Sequence, residues 1–231
     1  PLARAIFRGI AKVWKWEHQT SIEICAGIGG LAQAVSEAGD FEHLALIENW
    51  EPACKVLRSR PEWKLDAVIE DDVQNFDYSE HSGRVGLFTG GPPCQPWSQA
   101  GRNHGARDSR DILGLLPEMV GACLPEVLLI ENVPGLVTNP DHAAYLEDLL
   151  DRLENPTNGS VRYGLAKGIL LAADYGVPQL RRRLFILGFK GKSHTYTSKV
   201  FKLIENEATY SNPQKPILGR KNWVTLGEAF K

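Results

Sequence analysis

Short apolar runs alternate with stretches of helical period along most of this chain, which restricts the fold to a sheet with helices packed on its faces. Ser21 to Cys25, Leu44 to Ile47, Ala67 to Ile69, Val85 to Phe88, Val127 to Ile130 and Arg183 to Phe189 read as strands. Between them, Leu31, Val35 and Ala38 form a helix stripe closed by Gly39 in the C-cap position. A helix with Pro52 in its first turn turns Ala53, Val56 and Leu57 inward. Ile112, Leu115, Leu116, Met119, Val120 and Cys123 repeat at helical spacing, as do Leu146, Leu149, Leu150 and Leu153. The all-apolar run Val127 to Ile130 suits a central strand buried on both faces. The expected class is α/β, a doubly wound, mostly parallel sheet with right-handed crossovers.

The two ends depart from this rhythm. Residues 1–19 set Ile6, Phe7, Ile10, Val13 and Trp14 against Arg4, Arg8, Lys12 and Lys15, an amphipathic lead-in helix. Residues 190–231 turn polar and basic, so the core is expected over 20–189, ending near Phe189. Residues 1–180 hold 15 basic and 25 acidic side chains, whereas 181–231 hold 11 and 3. Such polarity fits either a polyanion held toward the basic end or a solvated basic face. No apolar run reaches the roughly 18–20 residues of a membrane span, and no signal peptide is recognisable. The four cysteines, Cys25, Cys54, Cys94 and Cys123, show no CxxC spacing. Zinc ribbons and disulfide scaffolds are therefore disfavoured, no metal is expected, and a reducing compartment is the default.

Two loops at the expected strand ends carry chemistry. Ala26-Gly27-Ile28-Gly29-Gly30 follows the first strand and opens a helix, where glycines let a ligand approach the main chain. Glu48 ends the second strand 21 residues after Gly27, about the interval at which an acid meets a ribose diol in nucleotide-binding α/β folds. The spacing is not G-x-G-x-x-G, which weakens a dinucleotide reading and leaves both another ribose-bearing ligand and a packing-only role open. Gly90-Gly91-Pro92-Pro93-Cys94-Gln95-Pro96-Trp97-Ser98 follows the fourth strand, at the carboxyl edge where open sheets bind ligands. Its prolines stiffen the turn around Cys94, although lone cysteines are usually inert.

Taken in order, the Ala26–Gly30 turn, Pro93-Cys94-Gln95, Glu131-Asn132-Val133 and Gln179-Leu180-Arg181-Arg182-Arg183 resemble the motif set of the cytosine-C5 DNA methyltransferases. The similarity covers about residues 20–189. It implies the Rossmann-like fold of S-adenosylmethionine-dependent methyltransferases, with S-adenosylhomocysteine as product. It also implies a Cys94 thiolate that adds to carbon 6 of cytosine, making carbon 5 nucleophilic enough to take a methyl group. A thiol of pKa ~8.5 is only a few per cent ionised at neutral pH, and residues 90–98 contain no Lys or His to help. Backbone donors or substrate-coupled proton transfer are expected instead.

By the same resemblance Glu131 contacts N3 and the exocyclic amine, and Arg183 contacts O2. Arg181 helps hold the site, and Asn132 orients the Cys94 loop. Charge-assisted donors aimed at developing charge are the usual large catalytic contribution. Glu48, with Asn49 beside it, holds the ribose hydroxyls; Asp72 holds the adenine amine, with Val73 and Pro93 packing nearby, unless Asp72 is a solvated loop acid. The Ala26–Gly30 backbone cradles the amino-acid end. Cys25 stands where the family commonly has Phe, and it cannot stack on adenine. The target base must leave the duplex. Gln95, Ser98, Arg102, Arg107 and Arg110 are expected to meet DNA, within a Ser98–Arg110 segment that closes over the base or is a plain basic surface loop.

Family members continue with a target-recognition region and two further motifs, the last folding back beside the cofactor, and neither motif is found here. Trp223 to Ala229 resembles the stretch before target recognition, so 190–231 is read as a basic lead toward an absent region. The chain as given is expected to be a core with weak or no activity of its own. Double-stranded DNA is the expected partner, with a cognate restriction endonuclease in the same system, a monomeric state and a prokaryotic cytoplasmic setting. Two rivals stand: a tRNA cytosine methyltransferase on the same fold, disfavoured by Ser98 and Gln99, and an inactive regulatory relative, disfavoured by the presence of Cys94, Glu131 and Arg183.

Overall fold

The computed structural model describes residues 1–93, 111–157 and 159–230. In chain order, α1 (Leu2–Ala11), β1 (Thr20–Ile24), α2 (Gly30–Ser36), β2 (Glu42–Glu48), α3 (Glu51–Arg58), β3 (Val68–Glu70) and β4 (Leu87–Gly90) form the first half. The second half holds α4 (Leu116–Cys123), β5 (Val127–Asn132), α5 (Gly135–Thr138), α6 (Ala143–Glu154), β6 (Tyr163–Leu171), β7 (Arg182–Lys190) and α7 (His194–Asn206). A short parallel pair, β8 (Tyr210–Ser211) and β9 (Lys221–Asn222), and α8 (Leu226–Ala229) follow.

Seven strands make one sheet in the order β3-β2-β1-β4-β5-β7-β6. The first five run parallel, and β7 is antiparallel to both β5 and β6. The sheet is the doubly wound α/β sheet expected from the alternation. Side chains of β5 alternate between its two faces: Leu128 and Ile130 join one core with α4 and α6, while Val127 and Leu129 join the other with α1 and α7. All four are fully buried, which is why the run carries no polar residue. No helix is long and apolar enough to cross a membrane among the described residues.

Several local expectations need correction. The first helix stops at Ala11 rather than near residue 19 and is not an appendage: Ile6 and Ile10 are fully buried in one core cluster with Val200 and Ile204. That core also extends past Phe189, because α7 buries Val200, Phe201 and Ile204 against the sheet. Gly39 does not cap α2; the helix ends at Ser36 with Glu37 still right-handed, its N–H donating to Gln33 O. Val56 faces solvent, and Ala53, Cys54 and Leu57 form the inner face of α3. The helix expected from Ile112 begins only at Leu116, because Pro117 tolerates a first-turn position and disfavours helix before it.

Candidate active site

Sheet direction brings the motif residues together. The order reverses between β1 and β4, so the chain diverges there and leaves a crevice at the carboxyl edge. Cys25 follows β1, Glu48 ends β2, Asp72 lies just beyond β3, Gly91 to Pro93 follow β4, and Glu131 and Asn132 close β5. β7 runs the opposite way, so its beginning, not its end, lies at this edge: Asn132 pairs with Leu184 and Glu131 with Phe185. Arg181, Arg182 and Arg183 thereby stand beside the acid although they lie some 50 residues downstream.

The acid and the arginines are in contact. Arg183 Nε is 2.8 Å from Glu131 Oε1, and Arg181 Nη2 is 3.4 Å from the same oxygen. Arg183 also donates to Arg182 O at 2.8 Å, which orients its guanidinium. Asn132 is buried; its amide donates to Pro92 O at 3.1 Å, and its Oδ1 accepts from Val133 N–H at 2.8 Å. It thus holds the main chain two residues before Cys94. Cys94, Gln95, Ser98, Arg102, Arg107 and Arg110 lie outside the described residues.

Two adjoining clefts share Cys25 and Gly91. The first, ≈ 300 Å³, is lined by Glu48, Asn49, Asp71, Asp72, Val73, Pro93 and Ile112 in addition. Glu48 anchors it: one carboxylate oxygen accepts from Gly27 N–H at 2.8 Å and the other from Trp50 N–H at 2.9 Å. Asp72 Oδ1 accepts from Gln74 N–H at 2.9 Å, a local turn that leaves the carboxylate at the cleft edge. The second, ≈ 420 Å³, opens between the glycine turn and the acid–arginine group, with Ala26, Gly30, Leu31, Glu131, Gln179, Arg181 and Arg183 among its walls.

Within the glycine turn the five residues take different places. Gly27, at φ 55°, gives its N–H to Glu48; Gly29, at φ 82°, packs so closely on Trp63 that a Cβ would lie 2.7 Å from the ring. The Ile28 side chain faces solvent, and only Ala26 and Gly30 line the second cleft. Cys25 itself is left-handed, at φ 51°, and burial pushes its thiol up to about 12, so it is a neutral wall.

Three features escaped the sequence reading. The start of α1, through Leu2 and Ala3, walls the second cleft, although this helix was read only as a lead-in. Ile112 lines the first cleft from a turn that was read as helix. Glu23, in the middle of β1, also lines the second cleft while almost wholly buried, and its Oε2 has no hydrogen-bond partner among the described residues. A lone acid between apolar strand residues was the available signal. Burial pushes the Glu23 carboxyl up to about 8, only partly offset by the Ala32 N–H. Between the ordinary carboxylate range and pH 8 the folded protein therefore holds a proton that the unfolded chain has lost, so stability falls as pH rises through that window. Denaturant melts at pH 5 and pH 8 should show a loss on the order of 3 kcal/mol in the wild type. Glu23→Gln should lack that component, and equal slopes for both proteins would contradict the assignment.

The sequence profile of the C-5 cytosine-specific DNA methylases matches residues 19–228. The chain belongs to that family. It is 34% identical over 205 residues to Type II methyltransferase M.NgoMIV of Neisseria gonorrhoeae, covering 88% of this chain and 62% of that protein. It is 40% identical over 172 residues to Type II methyltransferase M.PspPI of Psychrobacter sp. (strain TA137), covering 73% and 39%. The chain thus spans 62% of the length of the first of these relatives and 39% of the second. Among solved structures, a DNA modification methyltransferase encoded within an E. coli prophage aligns with TM-score 0.60 at 22% identity, over 91% of this chain and 54% of that one. Spodoptera frugiperda DNMT2 aligns with TM-score 0.55 at 22% identity, over 75% and 50%. At these identities the structural likeness establishes the fold alone, a mostly parallel Rossmann-like sheet with helices on its faces.

Proposed function

We propose that this chain is the catalytic core of a DNA cytosine-5 methyltransferase that uses S-adenosylmethionine and acts on a base extruded from the duplex. The observation that carries the reading is the 2.8 Å pairing of Arg183 with Glu131 beside a cleft anchored by Glu48. An acid, a guanidinium and a ribose-binding carboxylate converge on one sheet edge, with Pro93, which precedes Cys94 in the sequence, lining the cleft.

The residues fit the cofactor. Glu48 has both carboxylate oxygens aligned by backbone N–H groups at the end of β2, where a diol can meet them. Gly30 has nothing within 4 Å of where a Cβ would stand, leaving the main chain open to a ligand. Glu48 and Asn49 would hold the ribose, and Asp72 and Val73 the adenine. Ala26 to Gly30 would hold the amino-acid end. When bound, the cofactor supplies an electrophilic methyl group on a sulfonium.

The protein's own part follows from the polarity of the ring. The Cys94 thiolate forms a bond to carbon 6, and electron density moves toward N3, O2 and carbon 5. Glu131 shares a proton with N3 and accepts from the exocyclic amine, while Arg183 donates to O2, so the Watson–Crick edge takes over part of the Glu131–Arg183 pairing. Arg181 keeps the acid oriented. After methyl transfer the carbon 5 proton leaves to water, the electron pair reforms the ring double bond, and the Cys94 sulfur departs as thiolate. Asn132 acts as a positioning residue through Pro92.

A Type II restriction–modification setting with double-stranded DNA as partner belongs to the same proposal, supported by the relatives' names and the family; a cognate endonuclease and a monomeric state are proposed with it. The basic 181–231 segment would face the DNA phosphates. The test is covalent trapping by the full-length protein on duplex DNA containing 5-fluorocytosine, with S-adenosylmethionine. A stable adduct at Cys94 is expected, and none with Cys94→Ala, because fluorine cannot leave as a proton does. Methylation of cytosine with no adduct would remove the mechanism.

A further inference from the structure

We propose that Asp111 and Tyr145 form a positioning latch: α6 reaches across to lock the turn that carries both a wall of the nucleoside cleft and the downstream end of the segment bearing Cys94. The proposal rests on that cleft being the cofactor site. Neither residue belongs to the family motifs quoted above.

Residues 111–115 form a turn ahead of α4. Gly114 N–H donates to Asp111 O at 3.1 Å and to Asp111 Oδ1 at 3.0 Å. The carboxylate lies over Gly114 so closely that a Cβ there would stand 2.5 Å from Asp111 Oδ2. Because Pro117 disfavours α-helix before it, the turn's own main-chain bonds are the tighter i→i+3 kind, with Leu115 N–H donating to Ile112 O and Leu116 N–H to Leu113 O. Side chains of α6 add to them from outside. The Tyr145 hydroxyl lies 2.7 and 2.9 Å from the two Asp111 oxygens, and the acid is 6% exposed. Two helical turns further along the same face, Arg152 donates to Gly114 O at 2.8 Å and to Glu118 on α4 at 2.9 Å.

The turn matters because of what it carries. Ile112 stands in the cleft with Glu48, Asn49, Asp72 and Val73. Asp111 is also the first described residue after the Cys94-bearing stretch, whose upstream end is held by the Asn132–Pro92 hydrogen bond. The described residues flanking that stretch, Pro92 and Asp111, are therefore each tied by a side chain, one from β5 next to Glu131 and one from α6. A buried carboxylate bound by a hydroxyl and a main-chain N–H is a stiff post, because losing either partner leaves a desolvated acceptor unsatisfied. A displacement of about 1 Å at the reacting sulfur suffices for a large rate loss.

Tyr145→Phe tests this in the full-length protein, since it removes one hydroxyl and keeps the ring packing. Amide exchange at Gly114 and Leu115 should rise about tenfold, with β5 and α4 still protected. The dissociation constant for S-adenosylhomocysteine should rise about threefold, through Ile112. The rate of adduct formation with 5-fluorocytosine DNA at saturating cofactor should fall about tenfold. A merely structural role would lower the unfolding midpoint and leave that rate unchanged. Asp111→Asn, which still accepts from both donors, should recover most of the wild-type rate. Wild-type exchange at Gly114 together with an unchanged adduct rate in Tyr145→Phe would overturn the latch. A wild-type protein that neither binds S-adenosylhomocysteine nor forms an adduct would instead overturn the proposed function. In that case unchanged exchange at Gly114 and Leu115 would still refute the latch, and raised exchange would still support it.

Discussion

Glu131→Gln is expected to lower methyl transfer by about 10²–10⁴-fold while leaving S-adenosylhomocysteine affinity within about twofold. The substitution keeps the shape of the side chain and the strand it ends, so the sheet edge should not move. It removes the group that can share a proton with N3 at the moment negative charge builds there. It also removes the charge that Arg183 and Arg181 address, at 2.8 and 3.4 Å from one oxygen. Single-turnover transfer on duplex DNA measures the loss, and calorimetric titration with S-adenosylhomocysteine provides the control. Arg183→Lys should also be slow, because an ammonium lacks the fixed planar fork that presents one N–H to O2 while another stays on the main chain. The double variant should be little worse than Glu131→Gln alone, since groups that act as one unit are not additive. Transfer by Glu131→Gln within about threefold of wild type would take the acid out of the chemistry.

Glu48→Ala is expected to weaken S-adenosylhomocysteine binding by about 100-fold, with the fold retained. Two losses combine. The ribose would lose a charged acceptor, a contribution of about 1.5–3 kcal/mol. The main chain would lose the anchor that fixes Gly27 N–H at 2.8 Å and Trp50 N–H at 2.9 Å, freeing the turn and the start of α3 together. Glu48→Gln retains one carbonyl acceptor and should fall between wild type and Ala. Titration calorimetry reads the affinity, and an effect under about threefold for Ala would place the nucleoside elsewhere. The two substitutions thus separate the clefts, one affecting turnover and the other affinity.

The strands at the centre of this protein were legible because burial on both faces forces an uninterrupted apolar run, as in Val127 to Ile130. The glycine turn was legible as a place where a ligand can approach the main chain, and the structure adds that Gly27 and Gly29 take positive φ there. Other elements were hidden by residues whose purpose lies in a distant partner. β6 contains Gly164 and Gly168, and glycine weakens the strand signal. A Cβ at Gly164 would stand 2.4 Å from the Ser193 main chain, and one at Gly168 would stand 2.4 Å from the Phe201 ring. Those glycines are small so that α7 can sit on the strand, and α7 was itself unread. The same holds for α1, whose apolar stripe was visible and whose place beside the second cleft was not.

Which faces are buried, where the chain turns tightly and which chemical groups stand at strand ends are local properties, and local periodicity and residue type encode them. The direction in which a strand runs is not local, because a strand's period of two is identical read either way. Only the antiparallel seating of β7 against β5 brings Arg181 and Arg183 to Glu131, and only the crossing of α6 brings Tyr145 to Asp111. Both depend on hydrogen-bond register and packing between segments tens of residues apart, which no window of sequence contains.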